Sequence, residues 1–274
     1  MPHPLDDLID TAPGRPDLDF VITKQHRRFA EFADACRRER YIGVCYGPPG
    51  VGKTLSARHY THWDQIGEWL TRSWLEPDGS GPDVLATSRS VLWTPTVIVT
   101  PRQLDQQVPM LCRRFSTIVE HHRDPHGGRP PQFAAGMWNV ELLIVDEADR
   151  LKPAGLEQLR DYFGRHPIGL MLIGMPGLEK RLARYPQLYS RVGFAHRYEP
   201  LSADELRFVL THHWQRLGLT LSAEDFTDSE AVAAVARITN GNFRLVHRLF
   251  AQITRILDIN QLTTVTSEDV IGQP

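Results

Sequence analysis

"YIGVCYGPPGVGKT", residues 41–54, runs from an apolar stretch into a glycine-rich turn and closes on Lys53 and Thr54. Residues 41–46 read as a buried strand, and a helix is expected to begin near Gly52. Gly47-Pro48-Pro49-Gly50-Val51-Gly52-Lys53-Thr54 fits the pattern G-x-x-x-x-G-K-[ST] at every position. The glycines let the backbone curl so that successive N–H groups face phosphate oxygens. The helix that follows points its positive end at the same place. Lys53 is expected to reach the β- and γ-phosphates, and the Thr54 hydroxyl to help hold Mg²⁺. Gly47 to Thr54, with Leu55 beside them, are the candidate nucleotide-binding residues. A glycine turn before a helix is the bland alternative. Strand, loop and helix in the required order favour a phosphate loop, and with it binding of a nucleoside triphosphate.

A second apolar run, "ELLIVD" (141–146), ends in two adjacent carboxylates, Asp146 and Glu147. Asp146 can hold Mg²⁺ through water, while Glu147 can polarise an attacking water as general base. A small-molecule kinase would deliver the phosphate to a bound acceptor. A carboxylate beside a water argues instead for ATP hydrolysis.

Composition sets the frame for these motifs. The 274 residues can bury one good core, or one core plus a small accessory domain. No apolar run approaches the roughly eighteen residues that span a bilayer, so no membrane partner is expected. The start, MPHPLDDLID, lacks the basic-then-apolar pattern of a secretory signal. Cys36, Cys45 and Cys112 lack metal-type spacing and read as reduced thiols of a cytoplasmic protein. A net charge of −2 provides no global basic field. Basic residues nevertheless outnumber acids in 24–40, 102–129 and 176–197, and 27 of the 31 are arginine. Arginine's planar fork suits phosphates and interfaces, although a GC-rich genome would give the same bias.

Strands are expected at 41–46, 96–100 ("TVIVT"), 141–146, 168–174 ("IGLMLIG") and 195–199 ("AHRYE"). Helical patterns lie at 24–40, 101–122, 149–164 and 177–185. Alternation of the two predicts an α/β fold with a buried, mainly parallel five-stranded sheet. Residues 76–92 and 123–139 read as loops. From Pro200 the pattern is helical only, opened by a capping box of Ser202 and Glu205, with helices near 202–217, 228–238 and 242–259. Three regions follow: a loose lead-in at 1–20, an α/β nucleotide-binding domain at 21–199 and a small helical domain at 200–274.

Taken together, "GPPGVGKT", "LLIVDEAD", the arginine-bearing "YSRVGF" and "GNFRLVHRLF" resemble an AAA+ ATPase over about residues 20–270. The resemblance implies a P-loop NTPase core followed by a helical lid, with ATP between them. "VDEADRL" with "IGMPGLEKRLARYPQLYSRVGFAHRYEPLS" looks more narrowly like transposition ATPases of the TnsC, TniB and MuB type. On this resemblance Arg191 takes the position of an arginine finger that reaches the γ-phosphate of a neighbouring copy. Arg181 and Arg184, on the preceding helix, are the second candidates; a solvated basic face is the alternative. Arg244 matches a lid arginine that touches the phosphates within its own subunit. The pattern breaks at one place. Many AAA+ proteins carry a polar residue at the end of the strand occupied here by "LMLIG", where Gly174, Met175 and Pro176 offer no side-chain hydrogen bond to the water. Slow basal turnover, accelerated by a partner, is therefore expected.

The resembling family forms rings or filaments around duplex DNA through residues after the second strand. That placement makes Arg102, Arg113, Arg114, Arg123 and Arg129 candidates for phosphate contacts, sensitive to salt and insensitive to sequence. Affinity would come from many copies engaged at once. The implied partners are further copies of the chain in a hexameric ring or helical filament, double-stranded DNA, a transposase and a target-selection adaptor protein. The implied function is ATP-dependent marking of target DNA and recruitment of the transposase, with hydrolysis driving disassembly. The alternatives are a helicase loader or replication initiator, and a nucleotide-gated signalling switch that ignores DNA.

Overall fold

The computed structural model describes residues 20–71, 81–124, 139–216 and 226–260. The chain divides into two compact units. One comprises residues 29–47 and 53–197, the other 20–28, 48–52 and the chain from 198 onward, in so far as these are described.

The first unit is built on strands β1 (Ile42–Tyr46), β2 (Ser90–Trp93), β3 (Leu142–Val145), β4 (Gly169–Gly174) and β5 (Val192–Arg197). They form one sheet in the order β2-β3-β4-β1-β5, with every pairing parallel. The connection from β1 to β2 passes over the places of β4 and β3, whereas the later connections step the other way. Such a reversal of winding leaves a crevice at the carboxyl ends of the central strands. Strands β2, β3 and β4 are wholly buried, as a parallel sheet covered by helices requires. Phe29, Trp93, Leu111, Phe115, Ile144 and Met171 fill the core with no exposed surface. Each such side chain contributes about 1.5–3 kcal/mol by burial.

The helices of this unit include α1 (Lys24–Glu39), whose first residues belong to the second unit, then α2 (Lys53–Tyr60) and α3 (Trp63–Thr71). After them come α4 (Pro101–Arg123), α5 (Pro153–Arg165), α6 (Leu178–Leu182) and α7 (Pro186–Tyr189). Thr100 and Gln103 form a capping box at the start of α4. The helix expected over 177–185 is the shorter α6, and Pro186 opens a separate helix, α7.

The second strand differs from expectation. It is Ser90–Trp93, which begins within the stretch 76–92 read as a loop, and not residues 96–100. Val97 and Ile98 lie 76% and 77% exposed in a bend between Pro95 and Pro101. β-Branched composition suggested a strand there, but the flanking prolines cannot extend a ladder. The shorter "SVLW" pairs in register with β3 and buries all four residues. Strand β5 begins three residues earlier than read and shows largely exposed side chains, unlike β2, the buried strand at the opposite edge.

In the second unit, α8 (Ala203–Arg216), α9 (Phe226–Thr239) and α10 (Phe243–Asn260) surround Leu206, Leu210, Trp214, Val235, Val246 and Phe250. The Ser202–Glu205 capping box is formed: the Glu205 N–H donates to Ser202 Oγ at 3.3 Å, and the Ser202 N–H to Glu205 Oε2 at 3.1 Å. The other carboxylate oxygen of Glu205 accepts the Gln25 N–H at 3.2 Å. No described helix is long and apolar enough to cross a membrane.

Candidate nucleotide-binding site

The loop between β1 and α2 has the backbone that its glycines permit. Gly50 and Gly52 stand at φ +77° and +110°, in the left-handed region that side chains with a Cβ avoid. Lys53 Nζ donates to the Gly47 carbonyl oxygen at 2.6 Å, folding the side chain back along the loop. One residue on, the Thr54 hydroxyl donates to Asp146 Oδ2 at 2.7 Å.

Asp146 sits just past the end of β3 and is only 3% exposed. Its Oδ1 accepts the Glu147 N–H at 2.9 Å, so both carboxylate oxygens are partnered. Burial pushes the Asp146 carboxyl above its usual range, against the two hydrogen bonds that favour the charged form. Burial likewise lowers the Lys53 ammonium, with Cys45, Asp146, Glu147 and Asp149 pulling it back up. Glu147 is half-buried at φ 51°, ψ 39°, a left-handed conformation unusual for a residue with a side chain. Its backbone turns the chain sharply out of β3 into a short 3₁₀ turn, Ala148–Arg150.

A hydroxyl and a buried carboxylate 2.7 Å apart suit a hard, oxygen-seeking divalent cation such as Mg²⁺, which takes the remainder of its shell from water and phosphate. Among the described residues no group of three or more His, Cys, Asp or Glu is placed to hold a metal ion. A lone hydroxyl–carboxylate pair is thus a site that a bound triphosphate would have to complete.

Residues 48–52 lie with the helical unit. There Asn242 Nδ2 donates to the Pro49 carbonyl oxygen at 2.9 Å, and the Arg244 N–H to that of Gly50 at 2.9 Å. Asn242 Oδ1 accepts the Arg244 and Leu245 N–H groups at 3.1 and 3.3 Å, capping α10. A Cβ on Gly50 would stand 2.5 Å from Asn242 Oδ1. Sequence reasoning missed Asn242; its place just before a helix was a cap signal, but nothing in the sequence joined it to Pro49. The Arg244 side chain is exposed.

The finger candidates separate. Arg191 and Arg184 are exposed. Arg191 lies along α5, its Nη1 2.8 Å from where a Cβ on Gly164 would be. Arg181 is half-buried: Nη1 donates to the Asp149 carbonyl oxygen at 2.9 Å and Nη2 to that of Leu151. Its guanidinium is engaged inside its own chain.

The candidates for phosphate contacts separate in the same way. Arg102 and Arg113 are exposed on α4. Arg114 is half-buried, with Nε reaching the Leu70 carbonyl oxygen at 3.4 Å, and burial lowers its guanidinium from its usual value. Arg123 donates to Asn139 Oδ1 at 2.9 Å and to the Ala86 carbonyl oxygen at 3.0 Å. Arg129 and the expected loop around it lie outside the described residues, as do the lead-in through residue 19 and residues 261–274.

The end of β4 is not bare. Asp149 reaches across from the turn after β3, and its Oδ2 accepts the Met175 N–H at 2.6 Å. The Asp149 carboxylate thus stands at the strand end where residues 174–176 supply no polar side chain.

A model of the AAA domain family matches residues 36–182. A "potential ATP-binding protein" of Staphylococcus aureus is 44% identical over 259 residues, covering 92% of this chain and 94% of that protein. The RuvB Holliday junction branch migration motor of Thermotoga maritima superposes with a TM-score of 0.54 at 16% identity, over 90% of this chain and 66% of RuvB. ORC1 of Aeropyrum pernix, solved in complex with DNA, gives a TM-score of 0.56 at 17% identity over 94% of this chain and 66% of ORC1. The chain thus spans about two thirds of the length of these two fold neighbours.

Proposed function

Because the chain belongs to the AAA domain family, we propose that it binds and hydrolyses ATP and uses that cycle to assemble on DNA as a regulator of transposition. The observation that carries the ATPase reading is the 2.7 Å contact between Thr54 Oγ and Asp146, with Lys53 and Glu147 one residue away on either element. The 44%-identical potential ATP-binding protein supports the same nucleotide.

In this reading Lys53 Nζ exchanges the Gly47 carbonyl for the β- and γ-phosphate oxygens of ATP, as the N–H groups of residues 47–54 receive the remaining oxygens. Glu147 takes a proton from a water whose oxygen bonds to the γ-phosphorus, and the bond from that phosphorus to the bridging oxygen breaks to release ADP. Mg²⁺, when bound, would neutralise charge on the phosphate oxygens, held by the Thr54 hydroxyl and through water by Asp146. Arg244 contacts the phosphates from the helical domain, which acts as the lid. Arg191 serves the site of a neighbouring copy, so a single copy turns over slowly. Arg184 is its alternate, whereas Arg181 is a positioning group.

The finer assignment, to ATPases of the TnsC, TniB and MuB type, rests on the segment from 173 to 202 and on "VDEADRL". Arg102 and Arg113 are then the foremost groups for DNA phosphates, with many copies multiplying individually weak contacts. A transposase and an adaptor protein complete the set of partners.

The test is sedimentation of the protein with a random-sequence duplex in ATP, a slowly hydrolysed analogue, ADP or no nucleotide. Large protein–DNA assemblies are expected only with triphosphate, and Lys53→Ala should abolish them. Absence of assembly in every nucleotide state would sink the DNA reading and favour a nucleotide-gated switch that binds protein.

A further inference from the structure

Four contacts meet at the carboxyl end of β4. The Gly174 carbonyl oxygen accepts the N–H of Gly47, the first residue of the phosphate loop, at 3.3 Å. The Met175 N–H, next along the chain, donates to Asp149 Oδ2 at 2.6 Å. Gly174 itself has no room for a side chain, because a Cβ would stand 2.4 Å from the same Asp149 oxygen and 2.7 Å from Leu178 Cδ2. Arg181, on α6, grips the other side of the turn through the carbonyl oxygens of Asp149 and Leu151.

These contacts surround the residue with the least comfortable backbone in the site. Glu147 stands in the left-handed region, a conformation that costs about 1 kcal/mol or more and persists only when its surroundings enforce it. Its N–H is tied to Asp146 on one side, and two residues later the chain is tied to β4 by Asp149 and to α6 by Arg181. A group that must aim a water at phosphorus is sensitive to displacements on the order of 1 Å, which cost up to about a hundredfold in rate.

We propose that Asp149 is a positioning residue for hydrolysis: it pins the Glu147 turn to the end of β4 and so does the work of the polar side chain that Gly174, Met175 and Pro176 do not supply. The inference rests on the reading of Glu147 as general base. Gly174 is then required as the space that admits the Asp149 carboxylate, and the bond is an acceptor contact whose geometry matters more than its charge.

Four proteins test this: wild type, Asp149→Ala, Asp149→Asn and Gly174→Ala. Single-turnover hydrolysis of ATP is measured beside equilibrium binding of a fluorescent ATP analogue, and amide hydrogen exchange over 144–151 and 172–178 is followed without nucleotide. Asp149→Ala and Gly174→Ala should slow hydrolysis about 10- to 100-fold while analogue affinity stays within about twofold. Asp149→Asn, whose amide oxygen can still accept from Met175, should stay within about threefold of wild type. Exchange at Met175 and in the turn should accelerate in Asp149→Ala. The proposal is overturned if Asp149→Ala hydrolyses at the wild-type rate, if affinity and rate fall together, if Asp149→Asn is as impaired as Asp149→Ala, or if exchange is unchanged. A wild type that binds ATP and never hydrolyses it refutes the ATPase reading instead, and the exchange comparison still decides whether Asp149 pins the turn.

Discussion

At the scale of single residues, Cys45 shows how tightly the strand that leads into the glycine-rich loop is anchored to the core. It precedes Tyr46 at the end of β1, is fully buried, and burial pushes its thiol well up, against the pull of the Lys53 ammonium. Cys36 and Cys112 are equally buried, and desolvation pushes each up to about 12. The thiolate is the form that reacts, so a raised value keeps all three inert wherever the native state holds. The sign is clear: raising the pH from 7 to about 9 should not open them, because the folded values lie above that window. We expect no reaction with a thiol-reactive chromophore at pH 8 in native protein and reaction of all three after denaturation. Cys45 labels only when the strand opens, so saturating ATP should slow its labelling by the same factor that it slows local opening. Rapid native labelling of Cys45 would show that the end of β1 is looser than its packing suggests.

At the scale of elements, α10 begins against Pro49 and Gly50 of the glycine-rich loop. One side chain performs two tasks there: Asn242 Oδ1 caps the helix, and Asn242 Nδ2 holds the Pro49 carbonyl oxygen. Substitution can part them. Asn242→Asp keeps the cap and loses the donor, a hydrogen bond worth about 1 kcal/mol, so it should melt about 2–4 °C below wild type and, with the loop released and a carboxylate set beside it, bind ATP about fivefold more weakly. Asn242→Ala loses both, and a missing cap of about 1 kcal/mol should lower Tm by a further 2–4 °C or so. Calorimetry and analogue titration measure the two effects separately; equal affinity of Asn242→Asp and wild type would remove the loop contact from the account. The same elements show what the sequence could reveal. Local patterns gave the glycine loop between a strand and a helix, the strand ending at Asp146, four of the five strands and the helical tail, because each is written in contiguous residues. The misplaced second strand arose because burial, and not β-branched composition, selects a strand: "SVLW" gains a partner in β3, and "TVIVT" between prolines does not. Asn242 and Asp149 stayed hidden for a different reason. Their contacts join residues 193 and 26 positions apart, and no periodicity records such a pairing.

At the scale of the whole molecule, the arginines sort by what they already hold. Arg181 is bound to two carbonyl oxygens of its own chain, whereas Arg191, ten residues on, is exposed on a segment that runs directly into the edge strand β5. An exposed arginine beside a sheet edge is suited to meet another copy, and a head-to-tail contact of this kind builds rings or filaments. The consequence is measurable by mixing two defective proteins. Glu147→Gln keeps Arg191 and the Lys53 loop that binds ATP but lacks the general base of its own site; Arg191→Ala keeps the site and lacks the finger. Each alone should be nearly inactive. In a 1:1 mixture with random neighbours, half of the copies carry an intact site and half of those face an intact finger. About a quarter of the wild-type ATPase activity per copy should therefore return, because a heterologous interface pairs each site with one neighbour. If Arg191 served its own site, no interface could pair a good finger with a good site, and mixing would recover nothing. An Arg191→Ala protein as active as wild type would instead return that arginine to the solvated surface and move the search to Arg184.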